Sequence, residues 1–350
     1  MDSTGPTIHD VARVAGVSPS TVSNVLNGRR ERMRAETCER VIQAMAELGY
    51  APNEMARGLK AGFLPTIGLI VPSVANPFWG AFARSVEHAA LGRNCQVLLC
   101  NGERDPQREQ QYAESMLTRG IRGLILGSAP LSMKHMIGLV KRGLNVVTFD
   151  REAGGSDTIE FDSVRVDNAA GARVAVEHLL DLGHRRIGFV SGPISSLSRS
   201  DRYEGYRSAL AARGIPLDPG IVWTESVADA DEEGTTIGRE AAIALLARPN
   251  PPTAFFAIND TTAFGVYAGI RRAGLELPRD VSVVGFDDIR LCEVVTPTLT
   301  SVRQPLDELM RSAVEMLLAR LEQKQTGPAT HITLPAELVL RGSTAALVKS

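Results

Sequence analysis

The chain has 350 residues, of which 44% are hydrophobic and 22% charged, with a formal net charge of −2. This composition is typical of a globular protein with two or three domains, and the charge neither favours nor excludes a nucleic-acid partner. The four scattered cysteines form no CxxC pair, which argues against a disulfide framework or zinc site, and no apolar run approaches the roughly 20 residues of a membrane span. The segment MDSTGPTIHDVARVAGV lacks a basic leader and a long apolar stretch, so we expect a cytoplasmic protein without a membrane partner.

Three short helices are predicted before residue 50. Thr7 is the expected N-cap of the first, Asp10 follows three residues later, and Gly16 ends the helix. Ser18 is the expected cap of the second helix, with Pro19 at a position where its missing N–H costs nothing. The third helix is predicted over roughly 35–48, with these residues facing inward: Val41, Ile42, Met45 and Leu48.

The first two helices have the spacing of a helix-turn-helix. Ala12 is small enough for two helices to approach, Gly16 permits a left-handed turn, and Val22 is expected to be buried between them. The outward face of the second helix carries small polar side chains that suit a DNA major groove: Ser20, Ser23, Asn24 and Asn27 beside Pro19. The alternative is a three-helix packing domain with a solvated polar face.

From residue 66 onward, short apolar strands alternate with amphipathic helices. The predicted strands lie at 66–72, 96–100, 123–126, 145–149, 186–191, 253–258 and 281–286. This alternation predicts parallel sheets flanked by helices, and the length requires two lobes. We expect the chain to change lobes near 162–167 and the segment TPTLTSVRQP, residues 296–305, to return between them.

Five segments together resemble the LacI/GalR family of bacterial transcription regulators: TIHDVARVAGVSPSTVSNVLNG, LGYAPNEMARGLK, TIGLIVPSVANPFWG, LGHRRIGFVSGP and VSVVGFDDIRLCEVVTPTLTSVRQP. The resemblance covers residues 6–344. It implies an all-α helix-turn-helix head at 1–51, a hinge helix and linker at 52–64, and an α/β two-lobed domain like that of periplasmic binding proteins at 65–345. It also implies a homodimeric repressor that binds a pseudo-palindromic DNA operator.

For DNA, the resemblance points to Pro19, Ser20 and Asn24 as recognition residues. Cys38 replaces an arginine that is usual in the family, which predicts the loss of a phosphate contact. The full set of expected DNA-binding residues is Thr7, Ser18, Pro19, Ser20, Thr21, Ser23, Asn24, Asn27, Arg29, Asn53, Arg57, Leu59 and Lys60.

The segment NEMARGLK, Asn53 to Lys60, matches the family's hinge helix. So short a helix does not hold in water unaided because nucleation is costly, and Gly58 weakens it further. We therefore expect it to fold only when two copies pack together on DNA. Leu59 matches the apolar wedge that the family inserts into the minor groove.

The resemblance also places a small effector between the lobes, at the carboxyl ends of the strands. The expected effector-binding residues are Asn76, Phe78, Arg151, Ser196, Ser198, Arg202, Asn259 and Asp287. Convergent Arg, Asn and Asp side chains suit vicinal hydroxyls, which favours a sugar or sugar derivative. A purine or other non-sugar metabolite is the alternative, and each polar residue could instead cap a helix or be solvated.

Two other functional classes are alternatives to a transcription regulator. A solute-binding protein of a transporter would not need residues 1–60, and a sugar-processing enzyme would need a general acid/base pair in the cleft. The segment Asp229 to Glu240 has the spacing of a calcium loop, but there is no second loop and we expect it to support the following helix. We predict no catalytic residues, metal or cofactor.

Overall fold

The computed structural model describes residues 7–26, 33–48, 50, 65–151, 159–226, 234–325 and 327–347. The chain divides into two compact units, Met1–Pro65 and Thr66–Ser350. Within the described residues, no helix combines the length and the apolar character needed to cross a bilayer.

The first unit contains the three predicted helices, α1 (Ile8–Ala15), α2 (Pro19–Leu26) and α3 (Ala35–Leu48). Thr7 and Asp10 form a reciprocal capping box at the start of α1, with the Thr7 N–H donating to Asp10 Oδ2 over 2.9 Å. Gly16 ends α1 in the left-handed conformation, with φ of 64°. At the start of α2, the Thr21 N–H donates to Ser18 Oγ over 3.2 Å. The predicted helix boundaries and caps are therefore confirmed.

The core of this unit joins all three helices. Its buried residues are Val11, Ala12, Ala15, Val22, Val25, Cys38, Val41 and Ala44. One prediction about α3 is wrong. Ile42 is 48% exposed, because it follows the buried Val41 by about 100° around the helix. Cys38 is 8% exposed and packs in the core, and the loss of a phosphate contact at this position stays a prediction.

The second unit alternates strands and helices. Its strands are β1 (Thr66–Val71), β2 (Gln96–Asn101), β3 (Gly123–Leu126), β4 (Asn145–Phe149), β5 (Asp162–Val166), β6 (Ile187–Val190), β7 (Val222–Trp223), β8 (Ala254–Ala257), β9 (Ser282–Asp287), β10 (Thr300–Arg303), β11 (His331–Leu334) and β12 (Glu337–Val339). Its helices are α4 (Pro77–Leu91), α5 (Pro106–Thr118), α6 (Lys134–Lys141), α7 (Asn168–Asp181), α8 (Leu197–Ala212), α9 (Thr235–Leu246), α10 (Asp260–Arg272) and α11 (Leu306–Leu321).

These strands form two sheets, one in each lobe. The first has the order β11-β5-β4-β3-β1-β2, and the second has the order β12-β10-β9-β8-β6-β7. The pairings are parallel except between β10 and β12. The two lobes thus share one plan, and the predicted fold class of parallel sheets flanked by helices is confirmed.

Among the residues that the structure describes, the chain passes between the lobes three times. The first crossing joins β5 to α7, where the sequence predicted it, and the second joins β10 to α11. The third joins β11 to β12. All seven predicted strands are present, whereas β5, β7, β10, β11 and β12 were not predicted as strands. Four of these lie at or next to a crossing, and β7 is an edge strand of two residues, so the strand–helix rhythm does not reveal them.

Candidate functional site

The helix α2 has two chemically distinct faces. Val22 and Val25 are buried in the core of the first unit. The opposite face is exposed at Ser18, Pro19, Ser20 and Asn24, and half-buried at Thr21 and Ser23. Because the buried face fixes the helix against α1 and α3, the small polar side chains are held outward on a rigid element, as a major-groove reader requires.

Hydroxyl groups cluster at the start of α2. Ser18 Oγ lies 2.7 Å from Ser20 Oγ and 2.9 Å from Thr21 Oγ1. Ser20 is therefore already engaged with the helix cap, while Asn24 stands one turn further along the exposed face. Thr7 is exposed and belongs to the capping box of α1. The remaining predicted DNA-binding residues lie outside the described residues: Asn27, Arg29, Asn53, Arg57, Leu59 and Lys60.

In the second unit, a cleft lies between the two lobes at the carboxyl ends of the strands. It is lined by Asn76, Phe78, Trp79, Arg104, Gly127, Phe149, Asp150, Ser198, Arg199, Arg202, Ile258, Asn259 and Asp287. Its free volume is about 30 Å³, which is roughly the room of one water molecule. A sugar would therefore enter only if the lobes part or the lining side chains move.

Arg202 is the centre of the polar network in the cleft. Its Nε donates to Asn168 Oδ1 over 2.8 Å, and its Nη1 donates to the Ile258 carbonyl over 2.7 Å. The same Nη1 lies 3.3 Å from Asp287 Oδ1, and the guanidinium stacks 3.6 Å from the centre of the Phe286 ring. Arg202 is 7% exposed. These contacts hold its planar group in one orientation, which suits it to hydrogen-bond a ligand.

Asp150 faces Arg202 from the other lobe. It follows β4, has φ of 55°, and accepts a hydrogen bond from the Val166 N–H over 3.3 Å. Burial raises the pKa of its carboxyl to about 6, although the nearby Arg202 and a hydrogen bond with Asn168 oppose the rise. Asn168, at the first crossing between lobes, thus interacts with both charged groups.

A second buried carboxyl supports the cleft from behind. Asp260 is 1% exposed and accepts hydrogen bonds from the Ile289 N–H over 2.8 Å and from Ser301 Oγ over 2.5 Å. Burial and the neighbouring Asp287 raise the pKa of Asp260. Asp260 therefore anchors the segment that follows β9 rather than lining the cleft.

Two lining asparagines also cap helices. Asn76 Oδ1 accepts from the Phe78 N–H over 3.0 Å at the start of α4, and Asn259 Oδ1 accepts from the Thr262 N–H over 2.8 Å at α10. These bonds use the side-chain oxygens, and an asparagine amide also carries two N–H donors. Capping and ligand binding are thus compatible at both positions.

Phe78 lies in an aromatic cluster at the cleft. Its ring centre is 4.9 Å from that of Trp79 in an edge-on arrangement, and Phe82 and Phe149 complete the cluster. Phe78 is 4% exposed and Trp79 is 6% exposed. The sequence predicted Phe78 at the mouth of the cleft, whereas most of its surface is used in packing the wall.

Two predicted effector residues do not line this cavity. Ser196 is fully buried, and its Oγ accepts from the Arg199 N–H over 3.4 Å as the cap of α8. Arg151 is 5% exposed, and its Nη1 donates to the Pro130 carbonyl over 2.9 Å. Both lie where the lobes meet, since Pro130 and Ser196 form an isolated β-bridge.

The structure also brings polar residues to the cleft that lie outside the predicted effector set; besides Asp150, these are Arg104, Arg199 and Asn168. Arg104 follows β2, and Arg199 lies one turn before Arg202 on α8; both line the cleft. Asn168 holds Arg202. The position of Arg104 after the carboxyl end of a strand was a usable signal. Asn168 gave no such signal, because its role depends on a helix that starts 29 residues later, at Leu197.

Within the described part of the chain, no group of three or more His, Cys, Asp or Glu side chains is placed to hold a metal ion. The polar groups that converge on the cleft are guanidinium, carboxylate, amide and hydroxyl groups. This set is suited to hydrogen-bonding several hydroxyls of one small molecule.

Two models of known protein families match this chain, one in each of its two units. Residues 7–53 match bacterial regulatory proteins of the lacI family, and residues 176–344 match the periplasmic binding protein-like domain. The ribose operon repressor of Escherichia coli (strain K12) is 35% identical over 337 residues, which cover 96% of this chain and 99% of that protein.

Two solved structures have similar folds. A LacI family transcriptional regulator from Enterococcus faecium with bound ribose has a TM-score of 0.69 and 30% identity, covering 81% of this chain and 100% of that one. The lac repressor dimer bound to operator and the anti-inducer ONPF has a TM-score of 0.71 and 28% identity, covering 98% of this chain and 100% of that one. The predicted resemblance is confirmed: the chain belongs to the lacI family of bacterial regulatory proteins and is a DNA-binding transcriptional regulator.

Proposed function

We propose that this regulator is a homodimeric repressor that binds a pseudo-palindromic operator and responds to a sugar or sugar derivative held between its lobes. The observation that carries the DNA part is the face of α2 formed by Ser18, Pro19, Ser20 and Asn24, exposed on a helix whose other face is buried. In the lac repressor structure, a dimer of similar fold is bound to its operator.

We assign base contacts to Ser20 and Asn24, and phosphate or positioning contacts to Thr7, Ser18, Thr21 and Ser23. Asn24 is the stronger candidate for base recognition, because an amide can pair with adenine through two hydrogen bonds. Ser20 must exchange or share its bond with Ser18 before it can contact a base. Pro19 offers an apolar contact only.

We divide the chain into a DNA-binding domain at 1–51, a hinge at 52–64 and an effector-binding and dimerisation domain at 65–345. In this scheme Asn27 and Arg29 extend the DNA surface, and Asn53, Arg57, Leu59 and Lys60 act from the hinge. Two hinges side by side explain a requirement for a homodimer, because each alone is too short to fold stably.

The operator proposal is tested by selecting genomic fragments on the purified dimer and measuring affinity against bulk competitor duplex. We expect one or more fragments to bind specifically, with log affinity falling linearly with log salt, because binding releases counterions from the DNA and this release is less favourable at higher salt. Asn24→Ala should weaken binding to the selected fragment, whereas Gln43→Ala on α3 serves as a control. The absence of any preferred fragment, with or without metabolites, would contradict the proposal.

The effector proposal rests on the cleft, where Arg202, Asn259 and Asp287 converge from three elements. A LacI family regulator of similar fold from Enterococcus faecium holds bound ribose. Titration of the complex between protein and selected DNA with pentoses, hexoses and purine bases separates a sugar effector from the purine alternative. A change in operator affinity with the purine bases alone would reject the sugar assignment.

A bacterial regulator that binds chromosomal DNA acts in the cytoplasm, and we therefore assign this protein to that compartment. We assign it no enzymatic activity, since its relative, the ribose operon repressor, is a regulator. Turnover of a sugar that binds in the cleft would contradict this assignment.

A further inference from the structure

The two lobes carry equivalent pairs of side chains beside the cleft. In the first lobe, Asp150 follows β4 and is hydrogen-bonded with Asn168, which comes after the neighbouring strand β5. In the second lobe, Asp287 ends β9 and accepts a hydrogen bond from Gln304, which comes directly after the neighbouring strand β10. Each lobe thus places an aspartate at the end of one strand and an amide side chain after the next strand.

Both amides lie where the chain crosses between the lobes. Asn168 is the first residue of α7, on the crossing from β5, and Gln304 lies between β10 and α11, on the crossing back. When one lobe rotates against the other, the backbone torsion angles of such connecting segments must change. Asn168 is 1% exposed and Gln304 is 5% exposed, so bulk water does not compete for the hydrogen bonds of these side chains.

Arg202 joins the two pairs. Its Nε donates to Asn168 Oδ1 over 2.8 Å, and its Nη1 lies 3.3 Å from Asp287 Oδ1. Burial raises the pKa of Asp150, and the charge of Arg202 is near enough to that carboxyl to oppose the rise. A continuous series of polar contacts therefore runs from the first crossing to the second, in the order Asn168, Arg202, Asp287 and Gln304.

The chemistry of its neighbours fixes the orientation of each amide. An ionised carboxylate only accepts hydrogen bonds, so Gln304 must turn its Nε2 donor towards Asp287. Asn168 is used at both ends, because its oxygen accepts from Arg202 and its nitrogen is the donor available to Asp150. A side chain with donors alone or acceptors alone could not serve both of these neighbours.

A sugar whose hydroxyls bind Arg202 and Asp287 acts directly on this series of contacts. Any shift that the sugar imposes on either side chain changes the hydrogen bond to Asn168 or to Gln304, and both of these residues belong to crossings. A ligand changes the equilibrium between two lobe arrangements only as far as it binds them with different affinity. The two amides provide such a difference, because their bonds depend on both the cleft and the crossings.

We propose that Asn168 and Gln304 are positioning residues that transmit effector binding from the cleft to the crossings, and so set how strongly the effector changes operator affinity. They act through Arg202 and Asp287 and do not have to touch the effector. This inference rests on the proposed sugar-binding function and specifies how that site regulates DNA binding.

The test separates affinity for the sugar from the response to it. The full-length protein is screened against pentoses and hexoses by thermal shift, and the sugar that raises the melting temperature most is used throughout. Calorimetry gives the affinity of the protein for this sugar. Fluorescence anisotropy gives the affinity for the selected operator fragment with no sugar and with saturating sugar. The ratio of these two operator affinities is the response, which in allosteric proteins is typically about 5- to 150-fold.

Gln304→Met is the main variant, because it keeps the length of the side chain and removes the N–H donor to Asp287. Among the described residues, none donates to the buried Oε1 of Gln304, so the substitution breaks no other printed side-chain bond. We expect the response to fall by about tenfold or more, the worth of a hydrogen bond to a charged group. Sugar affinity should fall by clearly less, since Arg202 still holds Asp287.

Asn168 provides a second pair of variants. Asn168→Leu removes both ends of the amide and should lower the response at least as far as Gln304→Met does. Asn168→Asp keeps the oxygen that Arg202 needs but loses the donor to Asp150, and we expect it to retain part of the response. Circular dichroism checks that each variant is folded.

Gln110→Met is the matched control. Gln110 also donates from its Nε2 to a carboxylate, that of Glu114 over 3.0 Å, but both residues lie within the single helix α5. The control therefore loses the same kind of hydrogen bond without touching a crossing. We expect its response to equal that of the unsubstituted protein.

Four results would overturn the inference. A full response at saturating sugar in both Gln304→Met and Asn168→Leu rejects the role of the amides and leaves the sugar effector intact. A loss of sugar affinity as large as the loss of response makes these residues ligand contacts instead. An equal loss of response in Gln110→Met rejects the assignment to the crossings. If no sugar of the panel binds, the proposed sugar-binding function itself is rejected, and the inference falls with it.

Discussion

Nη1 of Arg202 lies 3.3 Å from Oδ1 of Asp287, and the two side chains are 8% and 4% exposed. Asp287 also accepts a hydrogen bond from Gln304 Nε2 over 2.8 Å. Its φ of 112° is a backbone conformation that residues other than glycine rarely adopt. The pair joins α8 to the end of β9 and lines the cleft. It is therefore both a structural link within the second lobe and a candidate ligand contact.

Arg202→Ala should destabilise the protein by about 3–5 kcal/mol, because it leaves the buried Asp287 without its cationic partner. It should also remove the effector response while sparing operator binding. Urea unfolding measures the first effect, and DNA titration with and without ligand measures the second. Arg207→Ala, which breaks an exposed pair with Glu204, should change stability by less than about 1 kcal/mol. An effector response that survives Arg202→Ala would reject the cleft assignment.

Asp150 predicts a pH dependence of stability. Its pKa in the folded protein is raised to about 6, so its contribution to stability is complete below about pH 4 and is lost as pH rises through 6. Asp150→Asn removes the ionisable group, and at pH 7.5 it should stabilise the protein by up to about 3 kcal/mol, with little effect near pH 4. Urea unfolding of both proteins across this range gives the difference.

A control carboxyl should show the opposite trend. Hydrogen bonds from the Arg279 side chain and from the Glu276 backbone N–H lower the pKa of the half-buried Asp280. Its contribution is present at neutral pH and is lost as pH falls, so Asp280→Asn should matter less in acid. A stability difference for Asp150→Asn that shrinks as pH rises would contradict the assigned cause.

Gly205 allows α7 and α8 to approach closely. A Cβ at this position would lie 2.8 Å from Ala172 Cβ and would collide with the Ala169 carbonyl. Because a backbone atom cannot give way cheaply, Gly205→Ala should destabilise the protein by about 1–3 kcal/mol or more. Gly138 is the matched control on α6, since nothing lies within 4 Å of its added Cβ. Gly138→Ala should stabilise by about 0.5–1 kcal/mol. Equal effects in thermal unfolding would refute the close-approach explanation.

Leu59→Ala tests the hinge assignment. Loss of an apolar wedge between base pairs should lower affinity for the selected operator by roughly tenfold or more. Non-specific DNA binding, which depends on phosphate contacts, should change little. Fluorescence anisotropy with specific and random duplexes makes the comparison, and circular dichroism checks that the fold persists. Unchanged operator affinity would remove the wedge from the proposal.

The helices of the first unit were predictable because their signals are local. Thr7, Asp10 and Gly16 define α1 through contacts within a few residues, and each adopts the predicted cap geometry. The inward face of α3 was predicted less well. Ile42 fits a hydrophobic pattern as well as its neighbours do, and only packing against α1 and α2 decides that Cys38 and Ala44 are buried instead.

In the second unit, the sequence by itself determined the alternation of strands and helices and the position of the first crossing between the lobes. Six of the eight effector residues predicted from the sequence line the cavity. Tertiary structure decided that Ser196 and Arg151 turn away from the cavity, and that Arg104 and Arg199 join it. Arg202 meets Asn168 and Ile258 across 34 and 56 residues of chain. Caps and periodicity record the energetics of a few neighbouring residues, whereas contacts at such separations depend on how whole helices and sheets pack.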